Sequence, residues 1–330
     1  MPDLYARVRR KVGYAIAPRV APLARPLRTI RKRCLAILMY HGVTDEQTAI
    51  PDWCQVRVED FRRQAEFLSQ EYRVLPLGEA IERLSKGQPL PDRAACLTFD
   101  DGFQNVYTNA APILERYQLP STVFVVTSLL DGRQPPWPGR LLYALSKTAL
   151  ASIQFEGVDR KLCTGPSGHA VYNRLVSRIK AFPREIRERR VDELVAALGG
   201  ASMDFSQSPR ATMGWKELEE LAGRGWMGFE SHTHTHPSLA NCTEEEQRRE
   251  LLVSRALLRE RVRVEDLFCY PFGDYTPVTM KMVAELGYRC GLTSALGLNG
   301  AGRDVYALRR VSIGPELTQP LFEIAMLGWL

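Results

Sequence analysis

The sequence has no Cys-x-x-Cys pair, and its seven cysteines, an odd number, are spread singly from Cys34 to Cys290. That spacing excludes a zinc ribbon and argues against a disulfide framework; free thiols in a reducing compartment are expected. No apolar run approaches the roughly 20 residues needed to cross a bilayer. The apolar stretches near the N-terminus are cut by Arg19, Arg25 and Arg28 and by Pro18, Pro22 and Pro26. They form no continuous apolar core of a secretory leader, so the expected address is the cytoplasm, with peripheral contact on the inner membrane left open. Histidine is scarce, with five in 330 residues.

Net positive charge is also missing from most of the chain. Of 44 Lys and Arg, ten lie in residues 1–40 against a single acid, Asp3; the remaining 290 residues carry 34 basic and 37 acidic side chains. The basic character therefore belongs to an N-terminal arm, residues 1–33. The body lacks the charge footprint of a nucleic-acid binder, and no nucleic-acid partner is expected. In the arm, Leu4, Val8, Val12 and Ile16 recur at helical spacing. They read either as an amphipathic segment on an anionic membrane or as a solvated helix or tail.

Residues 34–330 alternate short apolar runs with helical patterns. Strands are expected at 35–41, 72–75, 95–100, 121–126, 226–231, 267–271, 288–293 and 307–313. Helices are expected at 58–71, 77–86, 104–117, 215–223, 243–262 and 276–286. Short connections between them imply repeated βα units, hence a parallel sheet in a barrel or doubly wound arrangement. Residues 131–213 break this rhythm with Pro135-Pro136-Trp137-Pro138 and helical patterns at 172–181 and 185–198. They read as a mostly helical insertion, either a wall of a substrate cleft or a structural elaboration.

Two segments carry chemistry. Leu97-Thr98-Phe99-Asp100-Asp101-Gly102 runs an apolar strand into two carboxylates and a glycine that permits a tight turn. At a strand end, one acid can bind a cation and the other can move a proton, although a charged βα turn has the same appearance. Glu230-Ser231-His232-Thr233-His234-Thr235-His236-Pro237 holds three of the five histidines. On a turn, His232 and His236 can face one point; with one carboxylate they make a ligand set that leaves positions open for water and substrate. His234 is expected to lie outside that set.

Together these segments resemble the polysaccharide deacetylases, carbohydrate esterase family 4. Supporting signs are Met39-Tyr40-His41, Ala111-Pro112-Ile113-Leu114, Met213-Gly214-Trp215 and Tyr270-Pro271-Phe272-Gly273. The resemblance implies an α/β fold, a distorted (β/α) barrel. It also implies metal ligands Asp101, His232 and His236, with Asp100 as catalytic base. The metal would be divalent, Zn²⁺ first, with Co²⁺, Ni²⁺ or Fe²⁺ as alternatives. Tyr270 is a candidate for the oxyanion donor.

Two elements usual in the family are absent. No Leu-x-His follows His236. His41, at the end of a Tyr-His strand resembling that of poly-N-acetylglucosamine deacetylases, is the replacement general acid. The position where the family commonly has a base-orienting Arg holds Cys269. Arg309 or Arg310 must then supply the charge; alternation lets only one face inward, and Arg310 is favoured. Glu230 is expected either to orient a ligand histidine or to pair with one of these arginines. The expected reaction removes N-acetyl groups from an amino-sugar glycan or a lipid-linked sugar. A deformylase or O-acetyl esterase on the same scaffold, and an inactive glycan-binding or membrane-scaffold protein, remain as alternatives.

Overall fold

Six apolar runs become parallel strands: β1 (Leu35–Tyr40), β2 (Ala94–Phe99), β3 (Ser121–Val125), β4 (Met227–Ser231), β5 (Leu292–Leu296) and β6 (Leu308–Ser312). All residues of β1, β2 and β3 are buried. Helices on one side and barrel interior on the other explain why these strands read as unbroken apolar runs. The computed structural model describes residues 33–161 and 165–328. The basic arm, except Arg33, lies outside the described residues, as do Cys163 and Trp329.

The strand order is β5-β6-β1-β2-β3-β4, and Arg73–Val74 pairs beside the lower half of β2. The register sets Tyr40 beside Phe99 and Val125 beside Ser231, so the ends of β1 and β2, and of β3 and β4, lie side by side. The ring closes through residues 268 and 269. Phe268 bridges to Ser231 of β4, and Cys269 bridges to Leu292 of β5. The expected strand 267–271 thus shrinks to a bridge, because Asp266 takes a positive φ of 58° and Tyr270–Pro271 begin a turn. The strand expected at 288–293 begins only at Leu292. Tyr288 instead drops into the core and donates its hydroxyl to the Leu251 carbonyl at 2.9 Å.

Outside the barrel lie α1 (Val58–Glu71), α2 (Leu77–Ser85), α3 (Ala111–Arg116), α4 (Trp137–Lys147), α5 (Gly165–Lys180), α6 (Arg184–Ala197), α7 (Trp215–Gly223), α8 (Glu244–Arg261), α9 (Pro277–Glu285) and α10 (Gln319–Ala325). The helix expected at 104–117 is split into a π turn, Val106–Ala110, and α3. The break sits at Pro112, which has no N–H to return to Thr108. α10 buries Leu321, Phe322, Ile324 and Ala325, with Phe322 packed against Phe67 of α1. These residues of α10 therefore pack on the barrel.

The insertion comprises α4, the antiparallel hairpin Ser152–Phe155 with Val158–Lys161, α5 and α6. It has its own core, including Trp137, Leu141, Leu175, Ile179 and Leu194. Arg210, where the chain re-enters the barrel, pairs with Asp52 in a buried, two-toothed ion pair and donates to Tyr172 of α5 at 3.2 Å. The insertion is thereby fixed beside the mouth of the barrel.

Glu230 meets neither arginine and no histidine. Its carboxylate accepts the backbone N–H groups of Glu265 at 2.5 Å and Leu267 at 2.8 Å, so it pins the short closing segment to β4. Burial pushes its carboxyl up to about 8, against the pull of those two N–H donors. A raised folded-state value means that this group's contribution to stability is full below the unfolded value of about 4.3 and is lost as pH rises through the folded value. Denaturant titrations across pH 4.5–9 should show stability falling over that window. Glu230→Gln should flatten the fall, and an unchanged slope in the variant would remove Glu230 as its source.

Candidate active site

The acid pair hangs from the end of β2. The Asp100 N–H extends the ladder to the Tyr40 carbonyl at 3.0 Å. The chain then reverses through Asp101 at φ 70° and Gly102 at φ 71°. A side chain at 102 would strike Val125 at 2.7 Å, so glycine is required on both counts. The reversal sends the two carboxylates to different partners.

Asp101 meets the histidines. His232 follows β4 and directs Nδ1 at the Cys269 carbonyl, 2.8 Å away. A carbonyl only accepts, so Nδ1 carries the proton and the Nε2 lone pair is free for a ligand role. Burial lowers His232 to about 4, which keeps the ring neutral near pH 7. His236 is brought back by Thr233 at φ 69° and its own φ of 57°. Such non-glycine geometry costs on the order of 1–3 kcal/mol per residue and persists only where neighbours enforce it. Here Glu250 of α8 accepts the N–H of His234 and both the N–H and hydroxyl of Thr235, at 2.6–2.9 Å. Thr233 Oγ1 accepts the His236 N–H at 3.0 Å. His234 turns away to the Thr127 hydroxyl at 2.9 Å.

The three side chains converge on one point. Asp101 Oδ1 lies 3.6 Å from His232 Nε2 and 3.3 Å from His236 Nε2. It is buried and has no hydrogen-bond partner among the described residues. A tetrahedral ion at roughly 2.1 Å from each donor would separate ligand atoms by roughly 3.4 Å, so the set fits a divalent ion. Burial opposes ionisation of Asp101, but the imidazoles of His236, His41 and His232 outweigh it and hold the carboxyl well below the usual range. A second donor group, Asp100, His232 and Cys269, also lies close together. It shares His232, and a guanidinium already occupies its carboxylate, which disfavours a cation there.

That guanidinium is Arg310. It reaches from β6 across the mouth and forks onto Asp100, Nη1 to Oδ1 at 2.8 Å and Nη2 to Oδ2 at 2.7 Å. Its Nε donates to the Thr293 carbonyl at 2.8 Å. Arg309 points outward and is exposed. Burial would raise the Asp100 carboxyl, but Arg310 overrides this and holds it below the ordinary range. Cys269 Sγ sits 3.6 Å from both Asp100 oxygens, a weak contact beside the fork.

His41, at the end of β1, lines the same cleft as Asp100 and Asp101. It is buried; its ring lies 4.9 Å from Trp53, and its Nδ1 has no partner among the described residues. Burial lowers its pKa, with the two carboxylates pulling it back up. Tyr270 does not serve as the expected donor. Its hydroxyl donates to the Tyr306 carbonyl at 3.0 Å and its N–H to the Leu292 carbonyl at 3.0 Å, so both of its donors are spent on closing the barrel.

The cleft measures about 860 Å³, and its far wall comes from the insertion, through His169, Asn173, Val176 and Lys180 of α5. The cleft-wall reading of the insertion therefore describes α5. Trp53 and Phe272 also line the cleft, and neither was read as a site residue. Position 272 was visible only as part of the Tyr-Pro-Phe-Gly run, and nothing local marked Trp53.

Comparison with known proteins follows the same lines. The sequence model for polysaccharide deacetylases matches residues 87–175 and 187–291. YxkH of Bacillus subtilis, named for the same deacetylase family, is 21% identical over 90% of this chain and 77% of its own. The poly-β-1,6-N-acetyl-D-glucosamine N-deacetylase of Escherichia coli K12 is 24% identical over 81% of this chain, which spans only 34% of that protein. Among solved structures, the Streptococcus pyogenes deacetylase PplD in complex with acetate superposes with a TM-score of 0.61 at 21% identity, covering 89% of this chain and 99% of the other. IcaB from Ammonifex degensii gives 0.58 at 19%, covering 89% and 97%. The structural likenesses establish the fold, and the sequence match covers more than half of the chain. The protein belongs to the polysaccharide deacetylase family and is a hydrolase of carbon–nitrogen bonds other than peptide bonds.

Proposed function

We propose that this enzyme removes N-acetyl groups from amino-sugar residues of a polysaccharide made for export to the cell surface, with a divalent ion held by Asp101, His232 and His236. The observation that carries the reading is the division of labour at the end of β2. Asp101 turns to two imidazole nitrogens, and Asp100 turns to a buried guanidinium. Similarity to enzymes named as poly-β-1,6-N-acetyl-D-glucosamine N-deacetylases supports an N-acetylglucosamine polymer as substrate.

When bound, the ion supplies Lewis-acid polarisation of the acetamide carbonyl and makes water more acidic. The chain's own groups move the protons. Asp100, kept ionised by Arg310, takes a proton from the attacking water as its oxygen bonds to the carbonyl carbon. The Arg310 fork leaves the carboxylate little rotational freedom and so sets the direction of that transfer. His41, on the neighbouring strand end, donates a proton to the sugar nitrogen as the C–N bond breaks. The products are acetate and a free amine. Trp53 packs edge-on against the His41 ring.

Acetate release should be measured on N-acetylglucosamine oligomers and on N-acetylated lipid-linked sugars, with formamide and O-acetyl analogues alongside. Activity should appear with the N-acetyl substrates and stop with chelator. Chelator-resistant turnover, or preference for the formyl or ester analogue, would overturn the reading. Asp100→Asn and His41→Ala should each lower kcat by roughly 10²–10⁴-fold while retaining bound metal. Full turnover by His41→Ala would end its assignment as the acid. Arg310→Met leaves a buried charge unpaired and should cost about 3–5 kcal/mol of stability in denaturant titrations. The double variant Asp100→Asn/Arg310→Met should recover part of that loss.

A further inference from the structure

The two ligand imidazoles are not held alike. His232 has its Nδ1–H anchored on the Cys269 carbonyl. His236 has a buried Nδ1 with no hydrogen-bond partner among the described residues. A metal-binding histidine normally gives its second nitrogen to an acceptor that fixes the ring. What fixes His236 instead is packing. The Phe272 ring lies 4.7 Å from it in an edge-on arrangement.

Phe272 is itself an unusual support. It sits at φ 60°, in a conformation that a bulky residue adopts only under constraint. Its backbone is held by the turn and by the Ser294 hydroxyl, which donates to its carbonyl at 3.2 Å, and its ring is held by the insertion. The Lys180 ammonium, at the end of α5, lies 4.5 Å from the Phe272 ring centroid, and Trp137 of α4 lies 5.9 Å from it. The same ammonium is ion-paired with Asp274, two residues on. Asp274 in turn accepts the hydroxyl of Ser238 at 2.7 Å, two residues beyond His236. The Lys180 carbonyl accepts from Asn241 at 3.0 Å, farther along the same loop. One side chain thus reaches His236 by two routes: through the ring against its imidazole, and through the carboxylate that holds its turn.

We propose that Lys180 is a positioning residue for His236, so that docking of the helical insertion and affinity for the metal are coupled. The proposal rests on the reading of Asp101, His232 and His236 as ligands. Coupling of this kind is reciprocal: the ion, once bound, also stiffens the insertion. Lys180 continues the cleft-facing stripe His169, Asn173 and Val176 of α5. A glycan pressing on that wall therefore acts on the metal turn through Lys180.

The test is Co²⁺ affinity of the full chain, measured by chelator competition, with the visible Co²⁺ spectrum as a second readout. His232→Ala serves as the reference for loss of a ligand. Lys180→Met and Asp274→Asn should each weaken binding by roughly tenfold and alter the spectrum, the range found for groups that orient a ligand. Lys180→Arg, which keeps the charge over the ring and the pair with Asp274, should restore most of the affinity. Lys180→Met and Asp274→Asn binding Co²⁺ as tightly as the unaltered protein, with the same spectrum, would overturn the coupling and leave the ligand assignment standing. Failure of the unaltered protein to bind Co²⁺ would overturn the ligand assignment, and the coupling with it.

Discussion

The buried pair between Asp100 and Arg310 is the constraint around which the mouth of the barrel is organised. Each group is almost wholly shielded from water, and either charge alone would be strongly unfavourable there. The pair is tolerable only because the fork is two-toothed and the Arg310 Nε finds the Thr293 carbonyl. It also ties β2 to β6 across the barrel interior. That leaves Asp101, next in sequence, to face the opposite way. The separation of the carboxylate proposed to move a proton from the one proposed to bind a cation follows from this single cross-barrel bond and from the reversal at Gly102.

Around that bond the structure spends strained backbone and buried polar groups where the chemistry needs them. Asp101, Thr233 and His236 all take left-handed conformations. Glu250 on α8 holds the histidine loop by three donors. Glu230 performs a similar service lower in the barrel, where two bridges replace a full strand. Both acids accept from loop donors, backbone N–H groups and the Thr235 hydroxyl. An acid close in sequence to the proposed ligand histidines is therefore not by that fact a catalytic one.

Much of the centre was legible from local pattern. Asp100, Asp101, His232 and His236 stood out because their chemistry requires particular residue types at short spacing. Arg310 was legible one step further, since alternation along β6 allowed only one of two adjacent arginines to face inward. His41 was visible as a histidine ending an apolar strand. Tyr270 shows the limit of such reading. It follows the bridge at Cys269 and opens a turn, and its N–H and hydroxyl satisfy the Leu292 and Tyr306 carbonyls. Which partner a donor finds depends on segments far away in sequence. The same holds for the expected strand 267–271, which the turn at Tyr270–Pro271 cuts short.

The sequence by itself determined the repeated βα units of a parallel sheet, the helical insertion and the residue types at the centre, because strand burial, helix periodicity and ligand spacing are properties of nearby residues. Only the tertiary structure decided that Glu230 closes the barrel and that α5 forms the far wall of the cleft. It also decided that Lys180 and Phe272 stand behind His236. Those are contacts between segments separated by tens of residues. They exist because folding brings charges and rings together in a space where an unpaired group is costly, and no local pattern records which ones will meet.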